Sequence, residues 1–90
     1  MKYKYGKEML GAARLKLDGQ NEGDTETASK IISDYTKIPY LRIKSFIMCR
    51  GLRELFDNPS LIGATGEQIK LMLEVKDLID WGFDNTYESI

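Results

Sequence analysis

The chain has 90 residues, 42% hydrophobic and 30% charged, with a net charge of -1, a composition expected of one small globular domain spanning residues 1–90 around a single core. It has no histidine and a single cysteine, which excludes Ser-His-Asp and Cys-His nucleophile arrangements, His-containing zinc sites, an internal disulfide and a thiolate metal site within one chain. No apolar run approaches a membrane span, and Arg14 and Lys16 interrupt the N-terminal apolar stretch that a signal peptide needs, so the expected compartment is a reducing cytoplasm.

Residues 5–18 place Tyr5, Met9, Ala13 and Leu17 at i, i+4 spacing, joined on that face by Leu10 and Ala12 and opposed by Lys7, Arg14 and Asp18. This predicts an amphipathic first helix. Residues 18–24 contain two glycines and no apolar side chain, the composition of a mobile, exposed loop, and Asp24 or Thr25 suits a helix cap. Ala28, Ile31, Ile32 and Tyr35 then recur at i, i+3, i+4, i+7, predicting a helix over 25–36.

Pro39 suits the first turn of a third helix, predicted over 39–56 and stopped at Asp57-Asn58-Pro59. Gly51 inside it costs about 1 kcal/mol relative to alanine, which suggests close packing or a bend. Apolar residues nearly surround this helix, so it is expected at the centre of the fold, with Cys49 as a small buried hydrophobe. Thr65-Gly66-Glu67-Gln68 fits a capping box for a fourth helix over 66–81 that Gly82 ends, with Ile69, Leu71, Met72, Val75, Leu78 and Ile79 as its apolar arc. The sum is an all-α fold, a compact bundle of about four helices. A short strand over residues 1–5 is the one β alternative.

Charge is segregated along the chain. Residues 37–53 carry five basic side chains and no acidic one, whereas residues 54–90 carry eight acidic and two basic. At about 100° per residue, Arg42, Phe46, Arg50 and Arg53 share one arc of the third helix. Three guanidiniums around a phenyl ring form a candidate partner-binding surface, since arginine offers a rigid donor fork and stacks on planar groups. Against it stands a purely structural account, in which Phe46 is core and the arginines pair with C-terminal carboxylates while burying their stems.

The same region supports a second reading. Ile32-Ser33-Asp34-Tyr35-Thr36-Lys37-Ile38-Pro39-Tyr40-Leu41-Arg42-Ile43-Lys44-Ser45-Phe46-Ile47 resembles the helix-turn-helix of bacterial transcription regulators, with Ile32, Ile38, Ile43 and Phe46 at core positions and Ser33 at the small-residue position. It departs from that pattern at Lys37, where the turn usually has glycine. The resemblance implies that Tyr40, Leu41, Lys44 and Ser45 face the major groove, with Arg42 or a lysine on phosphates. The two readings differ in geometry: the motif buries Phe46 and exposes Leu41, and the arginine stripe does the reverse.

Glu74, Asp77 and Asp80 fall at i, i+3, i+6 on the fourth helix, a spacing better explained by a solvated face with Lys70–Glu74 and Lys76–Asp80 pairs than by a cation site. Leu73 and Trp81 lie within that charged arc and form a possible second interface, for self-association as a homodimer, unless the tail after Gly82 covers them. No sequence feature brings an acid/base pair together, and no cofactor motif is present. The expectation is therefore a non-enzymatic protein that acts by contact, most directly with another protein. In size and type the chain is similar to phage and mobile-element accessory inhibitors of host or defence machinery. The opposing expectation is a helix-turn-helix regulator binding DNA through residues 32–47.

Overall fold

A computed structural model describes residues 6–17 and 25–85, apart from the side chains of Lys7, Glu8, Ala12, Leu15 and Leu17. The expected strand over 1–5, the 18–24 loop, the Asp24 cap and the tail beyond Asn85 lie outside the described residues. The described chain is an all-α bundle: α1 (Lys7–Leu17), α2 (Thr25–Thr36), α3 (Tyr40–Arg50), α4 (Leu52–Asp57), a 3-10 turn (Pro59–Ile62) and α5 (Gly66–Phe83).

The periodic stripes become the core. Leu10 and Ala13 from α1, Ala28, Ile31 and Ile32 from α2, and Met72, Val75, Leu78 and Ile79 from α5 are buried together, with Tyr35 packed against their edge. The first helix buries less than its stripe predicts, because Met9 remains 41% exposed. α5 starts where the capping box places it. The Thr65 hydroxyl accepts from the Gln68 N–H at 3.2 Å, and the Gln68 side-chain oxygen accepts from the Thr65 N–H at 3.0 Å, satisfying two of the backbone donors a helix start leaves open.

Three expectations about the helices are corrected. The stretch 39–56 is not one helix: Gly51 adopts φ 93 and ψ 154 and divides α3 from α4. Nothing lies within 4 Å of where a Cβ would sit on Gly51, so its role is conformational, a backbone shape that side-chain-bearing residues rarely take, and not close packing. Second, α3 is peripheral. α5 is the hub, lying along α1 and touching α2, α4 and the 3-10 turn, whereas α3 rests on α2 and the α4 region. Only Ile43 and Ile47 of α3 are buried, and Cys49 is exposed. The apolar residues around α3 therefore divide between an inward pair and an outward set. Third, Gly82 does not end α5, which runs to Phe83 with Gly82 buried inside it.

Candidate functional site

The α2-to-α3 connection is fixed by a dense local set of hydrogen bonds. α2 closes with the Lys37 N–H donating to Ser33 O at 2.9 Å, and Lys37 takes the left-handed φ of 66. That is the conformation for which glycine is favoured at this place in a helix-turn-helix, and lysine adopts it here at some backbone cost. The Thr36 hydroxyl donates to Ile32 O at 2.7 Å and accepts from the Ile38 N–H at 3.3 Å, and the Ser33 hydroxyl donates to Ile38 O at 2.7 Å. From the opposite side the Gln68 amide donates to Thr36 O at 3.4 Å, so the cap of α5 also braces the turn. Pro39 then sits just before α3, not in its first turn, and its carbonyl accepts from the Arg42 and Ile43 N–H groups.

Burial decides which face of α3 points outward. Ile32, Ile38 and Ile43, three of the four core positions of the motif, are fully buried, and Phe46, the fourth, is half-buried and packs against the core beside Ile47. Leu41 is 72% exposed and Met48 is 70% exposed. At about 100° per residue, Leu41, Ser45 and Met48 form a ridge down the solvent side, flanked by Lys44 on one edge and by Arg42 and Cys49 on the other, all but half-buried Lys44 exposed. Tyr40 is half-buried, with the Lys44 ammonium 5.8 Å from its ring centre. It also borders an open depression of about 200 Å³ shared with Glu26, Lys30, Ser33 and Asp34 of α2.

The arc of Arg42, Phe46, Arg50 and Arg53 does not lie on one helix. Arg42 is exposed at the start of α3, but Phe46 turns inward. Arg50 is committed within the chain, 2.6 Å from Glu54 and 5.7 Å above the Phe46 ring. Arg53 is exposed on α4, beyond the Gly51 break, so the single-helix arc that grouped the four residues is interrupted. The residues that sequence reasoning missed are Met48 and Cys49. Ile38, Ile43 and Ile47 mark the inward side, and that spacing leaves Leu41 and Met48, one heptad apart, on the other.

On α5, Leu73 is 55% exposed and Trp81 is 38% exposed. Glu74 and Asp77 are exposed, while Asp80 turns toward α1 and lies 2.8 Å from Arg14 Nε. That contact is off the N–H axis, so buried Asp80 Oδ1 is compensated by charge without a hydrogen bond. The Arg14 guanidinium also lies 5.3 Å from the Phe83 ring centre, so α1 and α5 are joined at this end by charge and by an aromatic face. Among the described residues, no group of three or more His, Cys, Asp or Glu side chains is placed to hold a metal, and no helix is long and apolar enough to cross a membrane.

No protein-family model, curated protein or solved structure matches this chain.

Proposed function

We propose that the α2–turn–α3 unit binds duplex DNA, with the Leu41–Ser45–Met48 ridge of α3 in the major groove and Lys37, Arg42 and Lys44 at the phosphates. The observation that carries this reading is Lys37 at φ 66: the glycine position of the motif keeps its left-handed turn although glycine is absent, and that turn presents α3 outward. Ser45 can bond base edges, Leu41 and Met48 fit thymine methyl groups, and Arg42 and Lys44 border the ridge as phosphate or guanine contacts. Tyr40 serves this surface indirectly, as the ring beneath Lys44.

The chain's net charge of -1 gives no long-range attraction, so affinity rests on local contacts. With about three phosphates neutralised, log K falls against log salt with a slope of about −3. The test is fluorescence anisotropy with duplex DNA at two salt concentrations. Arg42→Glu and Lys44→Glu should each weaken binding about tenfold or more, and duplex binding insensitive to both rejects the site.

The exposure of Leu41 and Met48 favours a second reading, in which the same ridge docks on a protein of acidic, apolar surface, as an accessory inhibitor of host or defence machinery would. A nuclease-treated capture assay separates the two. Under this reading one stoichiometric protein survives nuclease and is lost with Leu41→Asp plus Met48→Asp, whereas Arg50→Glu, whose partner is Glu54, leaves capture intact.

A further inference from the structure

Gln68 serves two elements with one side chain. Its oxygen accepts from the Thr65 N–H at 3.0 Å and completes the cap of α5, while its nitrogen donates to Thr36 O at 3.4 Å, 32 residues away in sequence. A single amide thus joins the first turn of α5 to the last turn of α2.

The choice of acceptor matters. A helix leaves its last carbonyls without a partner inside the helix, and burying such a group unpaired is costly. Thr36 is 1% exposed, which leaves water little access to that carbonyl. Thr36 O also belongs to the planar peptide unit joining Thr36 to Lys37, whose orientation is described by ψ of Thr36 and φ of Lys37. Holding the oxygen therefore helps to hold Lys37 at φ 66, a conformation that lysine does not favour by itself. The Ser33 and Thr36 hydroxyls fasten the Ile38 side of the turn, and Gln68 adds a tie from outside α2 and the turn.

We infer that Gln68 is a positioning residue for the α2–turn–α3 surface: from α5 it locks the Thr36–Lys37 peptide and so fixes the direction in which α3 leaves α2. Its consequence for binding rests on the DNA reading, to which it adds a residue outside α2, the turn and α3.

Glutamate at this position separates the two roles. Gln68→Glu keeps an oxygen for the Thr65 N–H and suits the capping box, but a carboxylate has no hydrogen to give Thr36 O. Combining it with Glu67→Gln, at an exposed neighbour, preserves the net charge, so that a change in DNA affinity is not a change in overall charge. Thr65→Ala is the reciprocal variant, because it removes the cap hydroxyl and leaves the Gln68 amide in place.

The test compares Glu67→Gln/Gln68→Glu and Thr65→Ala with the parent, each as the full chain, by amide hydrogen exchange under native conditions and by fluorescence anisotropy with duplex DNA. In the double variant the Lys37 and Ile38 amides should exchange about three- to tenfold faster, the worth of one hydrogen bond, and duplex affinity should fall by about threefold or more. In Thr65→Ala the denaturation midpoint should fall, while exchange at Lys37 and Ile38 and duplex affinity stay with the parent. A general loss of stability does not produce that crossover. Exchange at Lys37 and Ile38 that is unchanged in the double variant, or equally faster in both variants, overturns the lock. Faster exchange with undiminished duplex affinity overturns the positioning role. A parent that binds no duplex overturns the DNA reading instead, and the exchange comparison still decides the lock.

Discussion

α3 and α5 are both amphipathic helices with charged outward faces, but they are held in different ways. α5 buries Met72, Val75, Leu78, Ile79 and Gly82 and forms the hub of the bundle, whereas α3 buries only Ile43 and Ile47. α3 is held by Ile43 and Ile47 against α2 and, before its first turn, by the hydroxyl bonds around Lys37. Core packing and surface chemistry are thus largely separated: α5 supplies apolar burial, and α3 offers an exposed ridge with basic edges whose residues bear little of the stability.

That contrast gives its largest effect in a pair of substitutions. Met72→Ala, at a fully buried position, should cost about 3 kcal/mol in a denaturant titration. Leu41→Ser, on the exposed ridge, should stay within about 0.5 kcal/mol. If Leu41→Ser costs as much as Met72→Ala, the separation of packing from surface is wrong.

Next come the two positive-φ positions that bound α3. Gly51→Ala should lose about 1–3 kcal/mol through backbone strain alone, because the space around its Cβ is open. Lys37→Gly should gain about 0.5–1 kcal/mol, the relief of the left-handed lysine exceeding the flexibility added to the unfolded chain. Thermal midpoints moving in opposite directions would sharpen the picture of a helix bounded by two positive-φ residues, and a stabilising Gly51→Ala would break it.

The smallest effects compare caps with surface charges. Thr65→Ala, which removes the capping box of α5, should cost about 1 kcal/mol. Arg50→Ala, which removes a largely exposed i, i+4 pair, should cost no more than about 0.5 kcal/mol. Chemical denaturation of both variants in one buffer checks the order.

Where the sequence was read well, the signal was local. The stripe Ala28, Ile31, Ile32 and Tyr35 specified α2 at its observed bounds, and Thr65 with Gln68 specified the start of α5, because periodicity and capping act within one or two turns. Where the reading failed, the deciding interaction lay outside the segment. Gly51 read as a costly residue inside a long helix, a place of close packing or a bend, and only its φ of 93 shows that the helix breaks there. Cys49 read as interior because α3 has apolar residues on several sides, and Leu41 faced outward in one reading and inward in the other. Which side faces in depends on where α2 and α4 stand.

The candidate site follows the same division. The local basicity of residues 37–53 and the motif spacing are legible in the chain, since both depend only on residue order. The tertiary structure decided that Phe46 packs inward, that Arg50 is occupied by Glu54, that Asp80 turns to Arg14, and that Leu41 and Met48 face solvent. Each of these depends on which elements compete for one face of a helix, and that competition is settled by packing among segments distant in sequence.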